Sequence, residues 1–351
     1  MERYIGIDVH QASCTVAVLS ETGRQLRVMV VETNGEALVG TIRSVAGRRH
    51  VVLEEGTQAG WLVGVLQGHA AEVVVAQVAA SRGQKSDERD AYGLAEALRV
   101  GTIQRVFKDP HCFRDLGQRA RVYRMLTGDL VRIKNRLKSL FRARAITAAG
   151  QKLYNPCHRA EWLGKLDSAS CLVAEPLFEQ LDAVRELQLR AQCAMVETSH
   201  RHPVSRRLET IPGLGSIRVA QLLPIVVTPS RFRTRRQLWA YCGLGIVMRS
   251  SSDWKRSEAG WQRAAVMRTR GLNRNFNRPL KHIFKGAALT VIQSMSRDPL
   301  HHHYRRLLEG GTKPNLARLT IARRIAAITL ALWKNAEVYD PKKITPNQSS
   351  P

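Results

Sequence analysis

The sequence predicts an α/β domain at the N-terminus, a long helical insert of coiled-coil type in the middle, and a mainly α-helical domain at the C-terminus. Three observations predict this division. Residues 1–108 alternate β-rich runs with amphipathic helical stretches. Residues 109–203 carry two long helical patterns, one of them with an apolar stripe close to heptad spacing. Residues 204–340 pair glycine turns with apolar helical stretches, and 341–351 read as a disordered tail.

Within the first domain, 4–9 and 14–19 are β-rich, Thr22-Gly23 is a turn signal, and 25–31 completes a meander. A helix is expected over 35–46, a buried-type strand over 50–55, a helix over 58–68 and a strand over 72–76. The last helix begins near Ser86, a suitable N-cap, and repeats apolar residues at Ala91, Leu94, Ala95 and Leu98. Three strands, helix, strand, helix, strand, helix is the order of a ribonuclease H-like (RuvC-like) fold. In such an open sheet, functional groups gather at strand ends near the topological switch. Asp8 lies near the end of the first strand and Glu55 at the end of the fourth, with Glu54 the alternative one residue earlier. Asp87 and Asp90 share one face of the last helix. Early helix acids often do no more than answer the macrodipole. Four carboxylates at these places, however, form a hard oxygen site of the type that suits Mg²⁺ and phosphate chemistry.

Composition points to the partner. The 351 residues include 55 Lys and Arg against 29 Asp and Glu, a net charge of +26 spread along the chain. That calls for a polyanion, with nucleic acid ahead of an anionic membrane surface. No apolar run is long enough to span a bilayer and no signal segment opens the chain, so a cytoplasmic protein with no membrane partner is expected. Six scattered cysteines without a CxxC pair are expected as free thiols, with no zinc site. The run His301-His302-His303 reads as a solvated turn.

The helix expected over 112–149 carries its stripe at Leu116, Ala120, Tyr123, Leu126, Leu130, Ile133, Leu137, Leu140 and Phe141. Its other faces are basic, with Arg124, Arg132, Lys134, Arg136 and Lys138 among the residues expected to meet phosphate. A second long helix, over 171–200, is closer to neutral. The pair is compatible with a coiled coil between chains or with ordinary packing inside one. Further on, Ile211-Pro212-Gly213-Leu214-Gly215 opens an apolar helix over 217–225. Such a turn, through Gly213 and Gly215, presents backbone N–H groups to a nucleic-acid phosphate. The loop Met248-Arg249-Ser250-Ser251-Ser252-Asp253-Trp254-Lys255-Arg256 is polar, and 268–285, with Arg274, interleaves basic, amide and aromatic residues. Helices are expected at 280–295 and 316–333.

Gly6-Ile7-Asp8-Val9-His10, Glu55-Gly56-Thr57 followed by Trp61, and Lys85-Ser86-Asp87-Glu88-Arg89-Asp90-Ala91 resemble the DEDD motif of the "one-ten" family of insertion-sequence transposases. That family is related to Piv-type DNA invertases and acts as bridge-RNA-guided recombinases. The resemblance runs over about residues 3–340. It implies a DNA transposase that uses Asp8, Glu55, Asp87 and Asp90 with Mg²⁺, acts on double-stranded DNA at element ends and target, and takes a guide RNA from the element. It also implies a homo-oligomer, dimer or tetramer, joined through the coiled coil. A serine of the polar loop would be a second catalytic group, attacking the phosphodiester. Many members carry Ser-Gly-Gly where this chain has Ser-Ser-Asp-Trp, so Ser251 is expected, with Ser250 and Ser252 as alternatives. Arg249, Lys255 and Arg256 would stabilise the reacting phosphate. The competing readings are a RuvC-like two-metal nuclease without a covalent intermediate and a non-catalytic nucleic-acid-binding protein.

Overall fold

The computed structural model describes residues 1–77, 86–107, 112–248, 254–258, 260–263, 269–273 and 275–343. Ser250, Ser251, Ser252, Arg249 and Arg274 lie outside the described residues. The chain forms two compact units, Met1–His111 and Cys112–Pro351.

The first unit is a six-stranded sheet in the order β3-β2-β1-β4-β5-β6. Strands β1 (Glu2–Val9), β2 (Ser13–Ser20) and β3 (Gln25–Glu32) form an antiparallel meander. After helix α1 (Gly35–Ser44), β4 (Arg48–Glu54) joins β1 in parallel, and after α2 (Ala59–Leu66), β5 (Glu72–Ala76) extends the parallel edge. Helix α3 (Asp87–Arg99) follows, and β6 (Arg105–Val106), too short to leave a pattern in the sequence, closes the edge antiparallel to β5. This is the ribonuclease H-like arrangement.

Strand alternation divides the packing between two faces. Ile5, Ile7, Val51 and Leu53 meet Leu38 and Ile42 of α1 and Leu62 and Leu66 of α2. On the opposite face Val52, Val74 and Ala76 pack under Leu94 and Leu98 of α3. Gly6 explains how closely α3 sits: a Cβ there would fall 1.9 Å from the Ala91 carbonyl oxygen. The glycine lets the helix backbone rest on β1. Ser86 does cap α3 by position, but its side chain makes no capping hydrogen bond.

The second unit begins with α4 (Arg114–Arg142), which stops short of the expected 149, the chain turning away through Ala145 at φ 58°. The short α5 (Arg159–Leu163) leads to α6 (Ser168–His200). These two long helices pack against each other within the chain and run antiparallel. Ile133, Leu137 and Phe141 near the end of α4 meet Ala174, Phe178 and Leu181 near the start of α6, around Tyr154 and Trp162. At the other end, Leu116, Ala120 and Met195 enter the larger core of the C-terminal helices.

Those helices are α7 (Pro203–Glu209), α8 (Ser216–Val226), α9 (Arg235–Tyr241), α10 (Arg278–Ser294), α11 (Pro299–Glu309) and α12 (Pro314–Asn335). The histidine triplet lies in α11, not in a turn. Asp298 caps that helix, accepting from the Leu300 N–H at 2.8 Å, and Pro299 occupies its first position. Between α9 and α10 lie four short strands that periodicity does not reveal: β7 (Ile246–Met248), β8 (Trp254–Ser257), β9 (Gly260–Arg263) and β10 (Thr269–Leu272). They form two separate ribbons, β10-β7 and β8-β9. Residues Pro341–Lys343 form a single 3₁₀ turn. All six cysteines are free.

Candidate active site and nucleic-acid-binding elements

Asp8 is the next-to-last residue of β1 and faces α3, two residues beyond Gly6. Because Gly6 brings the α3 backbone onto the strand, the first turn of α3 arrives beside the strand end. Asp87 opens that turn and Asp90 lies three residues on. Ligand atoms of Asp8, His10 and Asp87 all lie within 4.8 Å of one another. His10 Nε2 is 3.3 Å from Asp8 Oδ2 and 3.4 Å from Asp87 Oδ2.

The members differ in solvation. The Asp8 side chain is 13% exposed and that of Asp87 63%. Burial pushes the Asp8 carboxyl above its ordinary range, His10 opposes that shift, and the charges of Asp87 and Asp90 add to it. A carboxylate set whose buried member is destabilised by its neighbours' charge has an unmet need for a cation. Oxygen donors with one imidazole fit a hard or borderline divalent ion.

The fourth strand brings two glutamates to the same end of the sheet. Gly6 pairs with Val52, and Glu54 pairs with Ala76. Val52 and Ala76 both face α3. Glu54 therefore projects on Asp8's side of the sheet. Glu55 lies just beyond the strand, its N–H donating to the Ala76 carbonyl at 2.8 Å. Asp8, Glu54 and Glu55 all line a small cleft of about 130 Å³ that continues along Gly56 to Ala59. Both glutamates, the expected Glu55 and its alternative Glu54, therefore stand at the cleft that Asp8 lines.

His10 is a ligand candidate that no sequence pattern marks, since a lone histidine has no period of its own. The available signal was its place two residues after Asp8, in the turn where its N–H bonds to the Ser13 carbonyl at 3.0 Å.

In the second unit, the basic residues of α4 fall into different environments. Arg132 is exposed and paired with Asp129, and Arg136 is exposed. Lys138 and Lys134 are half-buried. The Lys134 ammonium lies 5.0 Å from the centre of the Tyr154 ring, and burial, helped by Arg185, holds it below its usual range. Arg124 is half-buried too, its Nη1 without a hydrogen-bond partner among the described residues, and burial lowers its pKa.

The Gly213 turn is built for close packing. At φ 78°, a Cβ on Gly213 would lie 2.3 Å from the Ala287 carbonyl oxygen of α10. Arg218 Nη1 locks the turn, donating to the Gly213 carbonyl at 2.7 Å and to Thr290 Oγ1 at 3.0 Å. Gly215 caps α8 and has open space around it. A cleft of about 610 Å³ opens there, with Thr210, Arg218, Arg297 and Tyr339 on its walls. The Lys255 backbone belongs to β8.

Comparison with known families gives two matches. Residues 5–144 match a DEDD transposase domain of the IS110 type, and residues 205–305 match the transposase IS116/IS110/IS902 family. Together they span about two thirds of the chain. No curated protein matches it significantly. The first match covers the sheet with Asp8, Asp87 and Asp90, and the second begins just before the Gly213 turn and continues into α11. The chain belongs to the IS110 family of DEDD transposases and is a DNA transposase.

Proposed function

We propose that this transposase cuts and rejoins DNA with two centres, a Mg²⁺ site at Asp8, Glu55 (or its neighbour Glu54), Asp87 and Asp90, and a nucleophilic serine at Ser251. The observation that carries the metal centre is the convergence of Asp8, His10 and Asp87 within 4.8 Å, with Asp90 near enough to raise the Asp8 pKa. Glu55 is the second acid, with Glu54, whose register puts it on Asp8's side of the sheet, as the alternative; both line the cleft with Asp8. His10 adds an imidazole to the set. A divalent ion follows from the family; bound here, it would supply Lewis-acid polarisation of the scissile phosphate.

The protein's own groups do the rest. The Ser251 hydroxyl oxygen attacks phosphorus, the bond to one deoxyribose oxygen breaks, and the serine proton passes to solvent or a nearby base as that oxygen takes one up. The strand is then held as a phosphoserine. Attack by another deoxyribose hydroxyl reverses the step and joins a new strand, so no nucleotide energy source is consumed. Arg249, Lys255 and Arg256 neutralise charge on the reacting phosphate, and Arg274 contacts nucleic acid beside it. Arg124, Arg132, Lys134, Arg136 and Lys138 follow nucleic-acid backbone along α4, and the Gly213–Gly215 turn seats a duplex phosphate. A guide RNA from the element selects the sites, and a cytoplasmic dimer or tetramer supplies the paired centres. These assignments come from the family resemblance together with the basic charge. Residues 1–108, 109–203 and 204–340 divide the labour as metal domain, helical arm and serine domain.

The test incubates purified protein with the element's RNA, donor DNA, target DNA and Mg²⁺. A protein–DNA adduct that survives denaturation is expected, absent in Ser251→Ala and present in Ser250→Ala and Ser252→Ala. Cleavage without an adduct that persists in Ser251→Ala would make the enzyme a two-metal nuclease instead.

A further inference from the structure

The β8–β9 ribbon displays two tryptophans to solvent. Trp254 is 58% exposed and Trp261 69% exposed, although such rings are ordinarily among the more buried side chains. The strands pair Trp254 with Arg263, Lys255 with Gln262, Arg256 with Trp261 and Ser257 with Gly260. Opposed residues of an antiparallel pair share a face, as do alternate residues along a strand. Trp254, Arg256 and Trp261 therefore lie on one face, with exposed Arg256 directly across from Trp261. Among the described residues the ribbon pairs with no other strand. A lone two-stranded hairpin is barely stable in water, so an apolar face on one is a poor place to store core residues. Two large rings held there have a reason to face outward.

Trp254 and Trp261 are diagonal neighbours, a relation that sets such residues about 7–8 Å apart. That is roughly twice the ~3.4 Å rise of a nucleic-acid strand. Two rings at this interval can take the faces of bases, while Arg256 neutralises phosphate between them. Duplex DNA offers base edges and hides base faces inside the stack, so flat aromatic groups gain little from it. A protein partner would require a larger apolar patch than two rings bracketing an arginine, on a chain of net charge +26.

We propose that the Trp254–Arg256–Trp261 face is a stacking platform for unpaired bases of the DNA on which the enzyme acts. Unpaired bases arise whenever strands are opened and exchanged. The proposal rests on membership of a DNA transposase family and not on the assignment of Ser251, so loss of the serine reading leaves it standing.

The experiment uses the full chain, a dye-labelled oligothymidylate of about 12 nucleotides, within the site sizes of single-strand binders, and a duplex of equal length. Binding is read by fluorescence anisotropy. Replacing both tryptophans by leucine (Trp254→Leu with Trp261→Leu), which keeps apolar bulk, is expected to weaken single-strand binding about tenfold or more, while duplex affinity stays within about twofold. The phenylalanine pair (Trp254→Phe with Trp261→Phe) should keep most of the affinity, and this rescue separates stacking from loss of folding. Leucine variants that bind the single strand as well as wild type overturn the proposal. So does an equal loss for duplex, a preference for oligouridylate over oligothymidylate, or a fall in oligomeric state by light scattering that marks the face as a contact between copies.

Discussion

At Asp8 three influences meet: burial and the charges of Asp87 and Asp90 disfavour the carboxylate, and His10 favours it. Ionised Asp8 therefore weakens the metal-free fold and becomes useful only when a cation is present. Asp8→Asn, a neutral side chain of the same shape, is expected to melt in chelator at or above the wild-type temperature. It should also lose the divalent response that stabilises wild type, worth about 2.7 kcal/mol at one hundred times Kd. Thermal melts across a Mg²⁺ titration check both. Asp8 and Asp87 could be picked out in the sequence because one closes a β-rich run and the other opens a periodic helix. His10 was less legible, since a single histidine carries no period and its use depends on a turn folding back on its own strand. The choice between Glu54 and Glu55 was not legible, because alternation stops at a strand end and both residues line the same cleft.

The helix α3 and its strand are one device. Gly6 has no side chain to keep α3 away, so the glycine that packs the sheet also determines where Asp87 stands. The helix was legible from its apolar spacing, whereas the closeness of its approach was not, because that depends on a contact between residues far apart in sequence. The start of α6 lends itself to a pH test. Asp167 accepts from the Ser170 hydroxyl and backbone N–H, each at 2.8 Å, and from Arg144 Nε at 3.1 Å, which together hold its carboxyl at about 2. Its folded pKa lies below the unfolded value of about 3.9. Its stabilisation is therefore complete above that value and disappears as pH falls from about 4 to about 2. Asp167→Ala should lower the urea midpoint near neutral pH, and the gap from wild type should close over that interval. The strands β7 to β10 leave no pattern in the sequence because runs of three or four residues are too short for alternation to register, and in α11 the histidines mask an Asp-Pro helix start.

Across the whole molecule, charge was the most legible property and its placement the least. A total of +26 predicts a polyanion but does not say which cations remain available. Arg119, Arg132 and Arg144 each pair with an acid, while Arg136 stays exposed. If six to ten phosphates are contacted, affinity for duplex DNA is expected to fall about 10³–10⁵-fold between 50 and 200 mM salt. Anisotropy titrations at several salt concentrations give that slope, and a shallow one would mean that most of the cations are engaged internally. Among the described residues no helix is long and apolar enough to cross a membrane. The arm built from α4 and α6 is rooted in one core and carries a second core at its far end. With 29 residues, α4 extends about 43 Å at ~1.5 Å per residue. A turn of duplex DNA measures about 34–36 Å. Groups at the two ends of the arm are thus separated by somewhat more than one helical turn, an interval measured out by residue count. Adding or removing a heptad from both helices would change that reach by about 10 Å while turning the far core by only about 20°, so length and facing can be varied separately.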